Sequence, residues 1–450
     1  MGRWAGWIGV VAAGLGTGLA LVWLASQVVP GVQGPYVVQT VPEQGAQASG
    51  TAPIGILFDQ PMDLASVTSR IAVSPGFTFT GRSDGSTVWL TPARSLDIGQ
   101  HYTVSLAPGA AGNSGAQMRQ SVQWSFTIRP PEVAFESPSS PPYQLWGLQT
   151  ATGAEKTEWS PASLSVLGFA VSPDGGQVAY SASNEQGGAD LWIQVPGAGE
   201  ATLVMDCGVD QCREPVWVPH GGGVAYTRLA ADGTPATVAV LNPTTGRVSP
   251  LLNDPTLHAR YPSWSPDGSK VAFQDLDTGV LQVIDPVSGH AVAYHTFTGL
   301  GAAWSPDGHA LIFMVLAIAQ ETPALTLYRA DVTTGLTTPI EPQGVNLTDF
   351  GEPAWSPDGQ WIALSARRAD AEPARGMWVM RPDGGSPQAV AEQVGRAYGG
   401  YQWDPWGQAL VFQGVDLPPA DTPPDVYLWR WSDGQVRLLA HDAFAPAFRP

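Results

Sequence analysis

Several residue patterns in this chain could do chemistry. Residues 81–85, Gly-Arg-Ser-Asp-Gly, fit the Gly-x-Ser-x-Gly pattern that raises a serine nucleophile on a strained elbow, and residues 220–223, His-Gly-Gly-Gly, resemble a run whose N–H groups cradle an oxyanion. Together they would be parts of an acyl-transfer site. The serine, however, lies among strand formers rather than before a helix, and the glycine run fills a slot that other parts of the chain give to a turn, so both are expected to be turns. A metal centre is the second chemistry. His258, His295 and His441 stand in segments that enter equivalent strands, with Glu214 and Glu352 in the same kind of place. Imidazoles and carboxylates gathered around one opening could hold a divalent ion for a hydrolase or lyase, but the histidines lack ligand spacing, and no metal or other cofactor is expected. Cys207 and Cys212 enclose four residues. A local disulfide is expected for them in an oxidising compartment, since no neighbouring thiol or imidazole completes a metal set. The remaining chemistry is recognition: Glu214, Tyr261, Glu352, Arg367, Arg368 and Tyr401 are charged or aromatic residues in or beside the variable segments, where specificity usually resides.

A repeat carries these residues. The pentapeptide Trp-Ser-Pro-Asp-Gly occurs at 264–268, 304–308 and 355–359, with degenerate copies at 171–175, 217–221 and 403–407. Ser, Pro, Asp and Gly suit successive positions of a type I turn: an acceptor, a preset φ, a turn former and a permissive exit. Each copy precedes a short apolar run such as Val271-Ala272-Phe273 or Leu410-Val411-Phe412, which reads as a buried strand. A third strand follows, as at Leu281-Gln282-Val283 or Leu428-Trp429-Arg430, then a glycine turn and a last β-prone stretch. Four antiparallel strands at a spacing of roughly 40 to 50 residues make the blade of a β-propeller. The tryptophans at 217, 264, 304, 355 and 403, and those at 146, 192, 378 and 429, recur at fixed places and are expected in the packing between blades rather than on a sugar-binding surface.

The chain ends suggest how the ring closes. Val133-Ala134-Phe135 and Leu145-Trp146-Gly147, with a turn at Thr152-Gly153, look like second and third strands lacking a first, and Ala447-Phe448-Arg449-Pro450 looks like a first strand without its turn. Joined, they complete a blade shared between the termini, which locks a ring against opening. Seven blades are expected on this count; six, with residues 132–160 as a linker, is the alternative.

The motif Pro-x-Trp-Ser-Pro-Asp-Gly followed by a Val-Ala-Phe strand, at 262–273 and again in variant form at 353–364, resembles the TolB-type, WD-like propeller repeat. The resemblance covers 131–450. It implies a binding platform or the companion of a peptidase domain, and the chain's end on the closing strand is taken to leave no room for a hydrolase domain. Between 36 and 130, Phe58-Asp59-Gln60-Pro61-Met62-Asp63, then Leu90-Thr91-Pro92, then Tyr102-Thr103-Val104 and a terminal Phe126-Thr127 are similar to bacterial Ig-like domains, which implies a spacer or adhesive β-sandwich without catalytic residues.

Residues 4–26 are apolar and uncharged after Arg3, long enough to cross a hydrocarbon core, so residues 1–30 are expected to be a single transmembrane anchor with the bulk of the chain outside; a cleaved signal peptide is the alternative. A net charge of −18, with Lys156 and Lys270 the only lysines, argues against nucleic acid as a partner. The expected protein is therefore all-β: an anchor, an Ig-like sandwich and a propeller. It is expected not to be an enzyme, and to bind a protein or peptide of the cell envelope on its variable-loop face. A metal-dependent propeller hydrolase or lyase of the envelope is the alternative.

Overall fold

The computed structural model describes residues 34–150, 154–219, 223–252, 257–319, 322–370, 374–418 and 422–450. The expected anchor at 4–26, the turn at Thr152-Gly153 and the His220-Gly221-Gly222 part of the oxyanion-like run lie outside them. Among the described residues no helix is long and apolar enough to cross a membrane.

The first unit is a sandwich of two four-stranded sheets. One runs Val37–Val41, Ile54–Phe58, Thr87–Pro92, Phe79–Asp84, and the other Gln47–Ala48, Val122–Ile128, His101–Leu106, Ile71–Ser74. Alternation along the strands puts Ile54, Ile56, Phe58, Val88, Leu90, Val104, Leu106, Trp124 and Phe126 into one buried core. Ser83 lies in the Phe79–Asp84 strand, paired with Val88, so the serine pattern belongs to a hairpin. The Pro-Met-Asp segment does more than turn: Asp63 caps a short helix, Leu64–Thr68, by accepting from the Ser66 N–H at 2.7 Å.

From Glu132 onward the described residues are strands joined by turns and irregular connections. Blade one is Val166–Val171, Val178–Ser183, Ala189–Gln194 and Ala201–Met205; blade two is Gln211–Val218, Gly223–Leu229, Thr237–Leu241 and Val248–Pro250. Blade three is Ala259–Trp264, Val271–Asp275, Val280–Ile284 and Ala291–His295. Blade four is Ala302–Trp304, Ala310–Ala319, Thr322–Asp331 and Thr337–Ile340. Blade five has Leu347–Thr348 and Ala354–Trp355 as its first strand, then Ile362–Arg368, Gly376–Met380 and Gln388–Ala391. Blade six is Arg396–Trp403, Ala409–Asp416, Asp425–Arg430 and Val436–His441. A further sheet joins the ends: Phe444–Arg449 lies antiparallel to Glu132–Ser137, which pairs with Gln144–Gln149 and then Thr157–Glu158. We call it the closing blade. Cys207, in the connection from blade one, is bonded to Cys212 in the first strand of blade two, where a parallel bridge from Ala189 to Gln211 joins the third strand of blade one to that strand.

The repeated turns follow their side chains. In the copy at 264–268, Ser265 Oγ accepts from the Lys270 N–H at 2.9 Å and donates to Asp267 Oδ1 at 2.6 Å, Gly268 N donates to Ser265 O at 2.8 Å, and Gly268 takes φ 71°. The first-strand tryptophans link blades: the Nε1–H of Trp217, Trp304, Trp355 and Trp403 donates to the carbonyl of Ala170, Ser263, Ala303 and Ala354 in the preceding blade, at 3.0 to 3.2 Å. Buried apolar side chains fill the spaces between neighbouring sheets, as where Leu281, Val283 and Tyr294 of blade three meet Leu311 and Phe313 of blade four. Each such large side chain contributes about 1.5–3 kcal/mol. Blade four has the longest ladder: its second and third strands stay paired from Met314↔Leu327 to Ala319↔Thr322, through a stretch rich in β-branched and other apolar residues.

Candidate functional site

Aligned on the residue that opens each Ser-Pro-Asp-Gly turn, the blades share a position four residues earlier, in or beside the first strand. It holds Gly168, Glu214, Tyr261, Gly301, Glu352 and Gly400 in blades one to six, and Ala445 in the closing blade. In five blades the ladder breaks register around it, between Val166 and Gly168, Arg213 and Val216, Arg260 and Ser263, Gly399 and Gln402, and Phe444 and Ala447. The extra residue of such a bulge turns its side chain out of the regular alternation. Glu214 and Tyr261 do so at φ 56° and 55°, a left-handed backbone that glycine adopts freely and that costs other residues of order 1–3 kcal/mol.

The first strands of blades two to five converge on a cavity of about 250 Å³, and Glu214, Tyr261, Gly301 and Glu352 all line it. Each polar group is held by a neighbouring strand or blade. Glu214 Oε2 accepts from Thr227 Oγ1 at 2.8 Å, while Oε1 pairs with Arg260 of blade three. The Arg260 guanidinium also lies 4.7 Å from the ring centre of Tyr261. Glu352 Oε1 accepts from the Gly301 N–H of blade four at 3.0 Å. Behind it, the Tyr401 hydroxyl donates to the Glu352 carbonyl and accepts from the Ser365 N–H at 2.9 Å; burial pushes this phenol's pKa up. The tryptophan link is interrupted here. Trp264 Nε1 is buried without a partner among the described residues, and the Glu214–Arg260 pair makes the crossing between blades two and three.

The structure thus brings together Glu214, Tyr261 and Glu352, with Tyr401 supporting them, and places Glu214 and Tyr261 inside first strands rather than in variable loops. It does not bring in Arg368, which faces Asp370 at 3.2 Å and Glu392 at 4.0 Å. Arg367 sits beside Asp349, whose carboxyl is held below its ordinary range chiefly by hydrogen bonds from Arg375 at 2.6 and 3.0 Å. The histidines stay apart: His258 Nδ1 is 3.2 Å from Asp277, His441 Nδ1 is 2.9 Å from Asp425, and His295 stacks on Phe297. Among the described residues no three His, Cys, Asp or Glu side chains gather to hold a metal, so this donor set does not fit the metal centre. Arg260 and Gly301 were not anticipated. The signal was available for Arg260, because Arg213 and Arg260 both stand four residues before a first-strand tryptophan. One further carboxyl is unusual: Glu136 of the closing blade is 4% exposed, and burial pushes its pKa up to about 7 against the opposing pull of Arg213.

Comparison with known proteins gives three kinds of likeness. The family model described as bacterial Ig-like domain matches residues 32–128. An uncharacterised peptidase of Bacillus subtilis (strain 168), YuxL, is 24% identical over 228 residues, 47% of this chain and 31% of that protein. Among solved structures, TolB from Acinetobacter baumannii is 18% identical over 72% of this chain and 83% of its own, with a TM-score of 0.43. A structure of prolyl endopeptidases is 15% identical over 84% of this chain and 50% of its own, at 0.50. Structural likeness at such identity shows the fold alone. The chain spans about a third of the curated peptidase and half of the endopeptidase. The expectation that this chain is not an enzyme is corrected by these relatives, two of which are named for peptidases. The protein is built as a sandwich that matches the bacterial Ig-like domain model, followed by a β-propeller.

Proposed function

We propose that this is an envelope protein, anchored through residues 4–26, whose Ig-like domain presents a seven-bladed ring and whose ring takes a peptide segment of a protein partner at the cavity of blades two to five. One observation carries the reading: the shared position is Gly or Ala in four blades and Glu214, Tyr261 or Glu352 in the other three, and those three residues line a single cavity. Arg260 neutralises Glu214 and leaves Glu352 exposed, with the 39% exposed Tyr261 ring as a stacking face. That combination favours a basic segment with an aromatic or flat side chain. A photo-reactive phenylalanine analogue installed at position 261 of the full chain should cross-link the partner in cells, and one at position 368 should not. Adducts at 368 alone would place the contact on the outer loops instead.

A second reading, a hydrolase or lyase of the envelope acting at the same cavity, is favoured by the peptidase names among the relatives and by two carboxyl groups and a phenol around one space. Its test is cleavage of a peptide panel by the purified chain, followed by mass spectrometry. Activity that survives both Glu214→Gln and Glu352→Gln would remove those groups from the chemistry.

A further inference from the structure

The ring is closed by pairing between strands from the two ends of the propeller. Phe444–Arg449 reaches Glu132–Ser137 through the partners Phe444↔Glu136, Ala447↔Ala134, Phe448↔Val133 and Arg449↔Glu132, whereas the strands of the other blades follow one another along the chain. Around this seam the Ig-like domain touches the ring on both sides. On the blade six side, Trp406 occupies the turn position that is Asp174, Asp267, Asp307 and Asp358 in other copies. Its ring packs against the Ig-like core, its Nε1–H donates to Leu96 O at 2.7 Å, and Ser95 Oγ donates to Pro405 O at 2.5 Å. Gly50 makes room for it: a Cβ there would lie 2.6 Å from the indole. On the blade one side, Thr51 Oγ1 donates to Pro173 O at 3.1 Å. Arg129, directly after the last sandwich strand, donates to Gly175 O at 3.4 Å. The terminal strand meets the same carbonyl, since Arg449 Nε donates to Gly175 O at 2.7 Å and its Nη1 to Glu132 at 2.5 Å.

We propose that the Ig-like domain is a clasp on the propeller: it grips the turns of blades six and one, which flank the closing blade, and so holds the seam shut in parallel with the strand pairing. Three observations converge on this. The turn that abandons the repeat's aspartate for tryptophan is one that meets the sandwich. The sandwich loops around Gly50 and Ser95 span both flanking blades. Arg129, Glu132, Gly175 and Arg449 tie the interdomain link, blade one and the final strand into one polar cluster. A mere spacer needs none of these contacts.

The test compares the full chain with Trp406→Asp, which restores the residue four other turns already carry and so leaves the turn foldable. Gly50→Ala perturbs the same contact from the other side. Hydrogen exchange followed by mass spectrometry should show residues 444–449 and 132–137 exchanging roughly tenfold faster in either variant, with 271–284 of blade three unchanged. The double variant should add nothing to Trp406→Asp. Adding Ala134→Cys and Ala447→Cys, which face each other across the seam, should return the seam to slow exchange once oxidised. Unchanged exchange at 444–449 in both variants, even with the Ig-like domain loosened and residues 129–131 open to protease, would overturn the clasp and leave a docked spacer. So would acceleration that the cross-link fails to reverse.

Discussion

The turns at 264–268 and 403–407 occupy the same place in blades three and six and keep the same backbone, with Gly268 at φ 71° and Gly407 at φ 65°. Their chemistry is opposite. In the first, a serine and an exposed aspartate satisfy the turn's N–H groups. In the second, Asp404 takes over the serine's task, accepting from the N–H groups of Gln408 at 2.7 Å and Ala409 at 3.0 Å, but does so 4% exposed, with a tryptophan in the aspartate's place. Burial pushes Asp267 up, yet hydrogen bonds from Ser265 and Ser269 outweigh it and hold its pKa at about 2. Burial pushes Asp404 to about 6, its backbone hydrogen bonds notwithstanding. A repeat unit can thus keep its geometry while the pKa of its aspartate is shifted in opposite directions in two copies.

The largest effect should come from the tryptophan both turns share. Trp403 is 5% exposed and hydrogen-bonded to Ala354, so Trp403→Ala should cost about 3–5 kcal/mol in urea unfolding. Trp264→Ala, at the place where the link is interrupted, should cost less, and equal losses would break the distinction between the two blades. Next comes Asp404→Ser. Because the folded pKa is raised above its unfolded value of 3.8, the native state binds the extra proton and stability falls as pH rises from about 4 through 6. Removing that carboxyl should therefore stabilise the chain at pH 8 by up to about 3 kcal/mol, and change little at pH 4. A variant equally affected at both pH values would remove Asp404 from the titration. Smallest is Asp267→Ala. A depressed carboxyl contributes stability that is present above about pH 4 and fades toward pH 2, so the variant should lose about 1 kcal/mol at pH 7 and nothing at pH 2. Thermal melts across that range would read both signs in one series.

The fold was legible because its determinants are local. Proline, aspartate and glycine specify a turn wherever they stand, and a Val-Ala-Phe run after it can hardly avoid becoming a buried strand. The same holds for the alternating strands of the sandwich. The site was legible only in part. Glu214, Tyr261 and Glu352 could be singled out by type, but the placement of the first two depends on bulges, and a bulge adds one residue without altering composition or alternation enough to be seen. Arg260 went unnoticed for the same reason, and Arg368 was included because sequence alone cannot say that Asp370 would occupy it. Trp406 raised no expectation either. Its meaning lies in a partner more than three hundred residues away in the chain, at Leu96.

The bulge position has a consequence for how such proteins diverge. Its side chain stands outside the hydrogen-bond ladder, so exchanging it leaves the strand pairing within a blade intact while changing what that position presents and which neighbour it can reach. Each blade is then a separately editable address on a common surface, and duplication or loss of a repeat adds or deletes one address without redesigning the rest. Descendants of one ring could come to serve unrelated ligands by drifting at a handful of codons, each change bounded by the backbone strain of about 1–3 kcal/mol that a non-glycine residue bears there.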